Sequence, residues 1–84
     1  EKIIANNTII KGSYGINLNG NNVSVYGNTV DNSAIGISVS GRDFTVNNNT
    51  VTGKSQNIGI QASGKLNSTC TVFNNEITFT DLTS

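Results

Sequence analysis

Apolar residues in this chain come in pairs set two apart, with a polar residue between them. Ile16 and Leu18 flank Asn17, Ile37 and Val39 flank Ser38, and Ile60 and Ala62 flank Gln61. Such alternation puts the aliphatic side chains on one face of an extended strand and the polar ones on the other. The runs also recur. Tyr14-Gly15-Ile16-Asn17-Leu18 returns after 21 residues as Ile35-Gly36-Ile37-Ser38-Val39, and after another 23 as Ile58-Gly59-Ile60-Gln61-Ala62. A second series, Val23-Ser24-Val25, Phe44-Thr45-Val46 and Cys70-Thr71-Val72, travels with it. A third is Asn7-Thr8-Ile9, Asn28-Thr29-Val30, Asn49-Thr50-Val51 and Asn75-Glu76-Ile77. Three short strands per period of about 21 residues are the signature of a stacked solenoid.

The pattern predicts first strands at 14–18, 35–39 and 58–62. Second strands are expected at 2–5, 23–26, 44–47 and 70–73, and third strands at 8–10, 29–31, 50–52 and 76–79. Corresponding residues then lie side by side in parallel sheets, about 4.8 Å apart from one period to the next. No stretch carries apolar residues at the helical spacing, and Gly, Asn, Thr and Val dominate. Between the strands stand Gly12, Gly20, Gly27, Gly41, Gly53 and Gly64 and most of the asparagines. Both residue types tolerate the positive φ that sharp corners need.

Asn7, Asn28, Asn49 and Asn75 hold one position in successive periods, with steps of 21, 21 and 26. Stacked there, they can pass amide hydrogen bonds from period to period and satisfy groups that a tight bend leaves unpaired. The last period is longer, with extra residues near Lys54-Ser55-Gln56 and near 65–69. Insertions in a repeat array map to loops, often on a functional face. The stretch from Ile77 to Leu82 is expected to break the repeat, with Phe79 and Leu82 covering the last period or meeting a partner.

Composition narrows the function. Eighty-four residues form one small domain at most. Only 35% of them are apolar, too few for a thick spherical core but enough for a thin column. Five basic residues balance five acidic ones with no basic stripe, which argues against nucleic acid as a partner. No apolar run reaches the roughly 20 residues needed to span a bilayer. The sequence opens on Glu1 with strand phrases at once, so it is expected to be a piece of a longer chain or one whose front has been removed. The lone Cys70 falls at an inward strand position and reads as a small buried core residue.

The phrases Gly27-Asn28-Thr29-Val30, Asn48-Asn49-Thr50-Val51 and Asn57-Ile58-Gly59-Ile60 resemble right-handed parallel β-helix repeats. Such repeats occur in pectate-lyase-like proteins, periplasmic copper-maturation proteins, alginate epimerases, archaeal surface-layer proteins and phage tailspikes. The resemblance covers essentially the whole chain. It implies an all-β, right-handed parallel β-helix of about 21 residues per coil and three short strands per coil, a single segment over 1–84. The matching residues are corner asparagines and core aliphatics, and that fold hosts many unrelated activities. The nearest likeness is to phage tailspikes, whose coils are similarly polar, uncharged and rich in Asn, Ser, Thr and Gly, and which usually stand as parallel trimers. This implies an extracellular or virion-surface setting, polysaccharide as partner and a homotrimer. Two other readings stand beside it: a structural or adhesive surface module, and a pectate-lyase-like carbohydrate-active domain.

Candidate chemistry is sparse. The acids are Glu1, Asp31, Asp43, Glu76 and Asp81. A glycosidase needs two carboxyls roughly 5–9.5 Å apart. Asp31 and Asp43 fall at different corners, and Asp31 and Glu76 lie two periods apart and out of step. No complete catalytic constellation emerges, so whether the chain is an enzyme stays open; the reaction, if any, would be polysaccharide hydrolysis or lysis. Without histidine and with one cysteine, no metal site or cofactor is expected. Tyr26, Asn47 and Phe73 align at the end of the second strand and point outward, where aromatic rings can stack on sugars or meet a neighbouring subunit. Arg42 and Asp43 make the most polar corner, with Lys65 near Arg42 one period later; this patch could hold an acidic sugar, or be a surface ion pair. Asn6, Asn22, Asn48 and Asn67 stand in Asn-x-Ser/Thr triplets, glycosylation acceptors only in a secreted eukaryotic protein and otherwise a product of composition.

Overall fold

The computed structural model describes residues 2–54 and 57–80. It is all-β, with no helix among those residues. The strands are β1 (Lys2–Ala5), β2 (Thr8–Asn21), β3 (Val23–Tyr26), β4 (Thr29–Arg42), β5 (Thr45–Asn47), β6 (Thr50–Lys54), β7 (Ile58–Gly64), β8 (Thr71–Phe73) and β9 (Glu76–Thr80).

Two parallel sheets result. The first has the order β1-β3-β5-β8, the second β2-β4-β6-β9 with β7 also on β4. Register follows the sequence period. Ile4 lies beside Val25, Val25 beside Val46, and Val46 beside Val72. Ile9, Val30, Val51 and Ile77 form the corresponding column in the second sheet. Ile16, Ile37 and Ile60 form another, and Leu18, Val39 and Ala62 a fourth.

These columns face one another and make the core. Val23, Val25, Val30, Ile37, Val39, Phe44, Val46 and Val51 are buried. Ile4, Ile9, Leu18, Ile60, Cys70 and Phe79 are half-buried against them. Full burial of an aliphatic side chain contributes about 1.5–3 kcal/mol, so the middle repeats carry most of the stabilisation. No described residue stacks on the last repeat, and its inward residues Val72 and Ile77 are each 45% exposed.

The strand division differs from the sequence pattern. The third strand of one repeat and the first strand of the next run together as single 14-residue strands, β2 and β4. Pairing carries on between them through Gly12 and Ser33. Only in the next repeat do they separate, into β6 and β7, where the sequence inserts residues. At the other end, β9 stays in the ladder as far as Thr80, paired with Lys54. The repeat therefore does not break at Ile77, and Phe79 rests against the core. Leu82 and Asp81, like Glu1, lie outside the described residues.

Candidate functional site

The asparagine column is built of hydrogen bonds. Asn7 donates from its backbone N and its Nδ2 to Oδ1 of Asn28, at 3.0 and 3.1 Å. Asn28 does the same to Asn49, and Asn49 to Asn75. The remaining Nδ2 hydrogens of Asn28, Asn49 and Asn75 go to the carbonyls of Ile4, Val25 and Val46. Asn28 thus uses its full capacity, two bonds accepted by Oδ1 and two donated by Nδ2. With Asn28 and Asn49 each 1% exposed, that completeness is what makes their burial tolerable.

The residue before each ladder position turns the corner. Asn6, Gly27, Asn48 and Asn74 all have φ between 54° and 66°. The other corner uses Asn22 and Asp43, both at 55°. Asn67, in the inserted loop, has φ of 60°. All four asparagines of the Asn-x-Ser/Thr triplets therefore serve the left-handed backbone, a reason for asparagine that has nothing to do with glycosylation.

A second column escaped the sequence pattern. Gly15, Gly36 and Gly59 sit where the backbones of successive repeats and the opposite valines close in. A Cβ on Gly36 would stand 2.6 Å from the Gly59 carbonyl oxygen and 2.7 Å from a methyl of Val51. Gly15 and Gly59 are equally confined, by Val30 and Ile77 respectively. The residues just before the glycines, Tyr14, Ile35 and Ile58, stack in register. Tyr14 and Ile58 are exposed and Ile35 is half-buried. The signal was present in the recurring apolar-Gly-apolar phrase, but alternation alone would put Tyr14 with Ile16 on the inner face.

Tyr26, Asn47 and Phe73 lie on neighbouring strands in one column, beside Ala5. Tyr26 is 37% and Phe73 47% exposed, with Asn47 half-buried between them. Adjacent strands stand about 4.8 Å apart, so Tyr26 and Phe73, two strands apart, are separated by about 10 Å.

Arg42 and Asp43 are engaged apart from each other. A guanidinium N–H of Arg42 donates to the Leu66 carbonyl at 2.8 Å, and Asp43 Oδ1 accepts from the Thr69 backbone N at 2.9 Å. Lys65 follows Gly64, the partner of Gly41, and its backbone N donates to the Gly41 carbonyl. The corner thus braces loop 65–69, which carries Leu66 with 86% of its surface exposed. The structure brings Arg42 and Lys65 to one edge, and the Arg42 guanidinium bonds the loop backbone.

Cys70 is half-buried, less enclosed than an inward strand position predicts, because no further described strand lies over it. Its Sγ lies 3.4 Å from Ser68 Oγ. That hydroxyl, followed by the backbone at Phe44, lowers the thiol from its ordinary range. Asp31 Oδ1 accepts from Thr52 Oγ1 at 2.6 Å, on the outer face of the second sheet and at a different corner from Asp43. Among the described residues no three His, Cys, Asp or Glu side chains gather closely enough for a metal ion. Nor is any helix there long and apolar enough to cross a membrane.

Comparison of this chain with protein-family models, with curated proteins and with solved structures found no significant match.

Proposed function

We propose that the chain is a segment of a right-handed parallel β-helix in an extracellular or virion-surface protein, and that it binds polysaccharide across the outer face of the first sheet. The fold reading rests on register: every strand pair is parallel, and chain positions meet their counterparts one period away. Right-handedness follows from the strong preference of parallel crossover connections for that hand.

One observation carries the binding reading. Tyr26 and Phe73 expose their rings from one column, with the Asn47 amide between them. Sugar rings present apolar faces and hydroxyl edges, and an aromatic–amide–aromatic row offers a partner to each. Arg42, at the end of β4, and Lys65, just after β7, lie at the edge of the second sheet, where an acidic sugar would meet positive charge. The resemblance to tailspikes fits this surface. It also suits a homotrimer, for which the exposed Tyr14 and Ile58, with the half-buried Ile35 between them, supply an apolar lateral contact.

A structural or adhesive surface module is the second reading, favoured by the asparagine ladder, whose buried members Asn28 and Asn49 spend every side-chain hydrogen bond inside the protein. A pectate-lyase-like enzyme comes third. Asp31 and Asp43 are held by separate hydroxyl and backbone donors at separate corners, so a catalytic carboxylate pair would have to include residues beyond these.

A glycan array decides between the first two readings. Specific retention of the chain, lost in the Tyr26→Ala/Phe73→Ala double variant with its circular dichroism unchanged, supports recognition. Uniform silence supports the scaffold.

A further inference from the structure

The strands of the first sheet turn two columns outward. One runs Ile3, Ser24, Thr45, Thr71 and the other Ala5, Tyr26, Asn47, Phe73. Between them Val25 and Val46 point inward and are fully buried. Alternation therefore sets Tyr26 and Phe73 outward, whatever stacks above or below them. Tyr26 has a strand on each side and is still 37% exposed. Neither outward column holds a charged side chain.

Two distances are built into this surface. Across the strands, Tyr26, Asn47 and Phe73 follow one another in steps of about 4.8 Å. Along the strands, Thr45 and Thr71 precede Asn47 and Phe73 by two residues, or about 7 Å. A ligand lying across the strands on the second column meets ring, amide and ring in order, with hydroxyls along one flank.

A pyranose chain joined by equatorial bonds at positions 1 and 4 advances by nearly one strand spacing per ring. Successive rings are turned over, so the first and third offer the same face two spacings apart. Axial 1,4 linkage coils the chain and loses that repeat. We propose that the outer face of the first sheet takes a neutral, extended β-1,4-linked glycan lying across the strands. Its first and third rings stack on Tyr26 and Phe73, and its middle ring lies over Asn47. The sugar's apolar faces meet the aromatic rings. The Asn47 amide both donates to and accepts from ring hydroxyls, and Thr45 and Thr71 add hydroxyls at the glycan's edge. Neutrality follows from charge complementarity, since an acidic sugar would give up water here with no cation in either column to meet it. The inference rests on saccharide binding by this face and adds linkage, charge and direction to it.

Titration calorimetry with short neutral oligosaccharides tests it. Cellotriose spans all three positions and cellobiose only two. Affinity should rise by about tenfold from the disaccharide to the trisaccharide, and little beyond it. Maltotriose, with its axial linkage, should bind roughly tenfold more weakly than cellotriose. Tyr26→Ala or Phe73→Ala should bring cellotriose down to the level of cellobiose. Phe73→Thr takes the place of Phe73→Ala if that variant loses its strand signal in circular dichroism. Equal affinity for maltotriose, or cellotriose binding that these variants leave unchanged, overturns the proposal. So does a chain that retains other glycans on the array but not cellotriose, and in each of these cases saccharide binding itself stands. Silence toward every glycan sinks both.

Discussion

Asn28 donates to Oδ1 of Asn49 twice, from its backbone N at 3.0 Å and from Nδ2 at 2.9 Å, with both residues sealed from solvent. One carbonyl oxygen so satisfies a corner amide and a side-chain amide of the preceding repeat. An unmet buried donor costs about 1–3 kcal/mol, so this geometry has large consequences for substitution.

Asn49→Ala strands the N and one Nδ2 hydrogen of Asn28 and takes the amide donor from the Val25 carbonyl, while Asn75 Oδ1 keeps only the backbone N of residue 49. Urea titration should show a loss of about 2–4 kcal/mol. Asn49→Asp is more telling. Its carboxylate keeps the acceptor but faces the Val25 carbonyl, where Asn49 donates. Burial and that carbonyl both favour the protonated acid, which raises its pKa in the folded state above the unfolded value of about 3.9. A group raised in this way stabilises most below its unfolded pKa and loses that contribution as pH rises through its folded one. The variant should therefore be weakest at neutral pH and regain stability on acidification, read from thermal midpoints across pH. Equal loss at all pH values would mean that the ladder site is open to water.

Gly36→Ala places a methyl against the Gly59 carbonyl and Val51. Backbone on one side and a packed core on the other leave little room to shift, and overpacking of this kind costs about 1–3 kcal/mol. Gly20→Ala is the control. Its nearest neighbour would be a Val23 methyl at 3.6 Å, ordinary contact, so its stability should change by less than about 0.5 kcal/mol. Chemical denaturation of the two variants in parallel makes the comparison.

The Cys70 thiol should react with an alkylating reagent at lower pH than an ordinary thiol, because the Ser68 hydroxyl favours the thiolate. Ser68 Oγ also lies 2.6 Å from the Lys65 carbonyl, to which it donates. Ionisation of the thiol draws that hydrogen to sulfur. Ser68→Ala should move the midpoint of the rate–pH profile upward. An unmoved midpoint would assign the shift to the backbone at Phe44 instead.

Arg42→Ala removes the bond to the Leu66 carbonyl. Amide exchange over residues 65–69 should quicken severalfold, while global stability falls by only about 0.5–1.5 kcal/mol, the net worth of one hydrogen bond. Uniform loss of protection along the chain would show that the loop is integral to the core.

Periodicity made the greater part of this protein legible in its sequence. A strand that pairs with its own copy one period away needs no search for a partner, so spacing alone placed Ile4, Val25 and Val46 side by side, and Asn7, Asn28, Asn49 and Asn75 in one column. Tertiary structure decided what depends on three dimensions at once. Close approach of opposing walls makes Gly36 a requirement, and Tyr14 stays exposed while Ile16 is buried, against their alternation. Pairing that carries through Gly12 and Ser33 fuses strands that the pattern keeps apart. The fate of Arg42 was equally hidden, since its acceptor is a backbone carbonyl of an inserted loop, and a carbonyl has no signature in the side-chain sequence. Burial at the ends followed from stacking order: Cys70, Val72 and Ile77 repeat the pattern of Phe44, Val46 and Val51, yet they remain open because a column is enclosed only where a further repeat covers it.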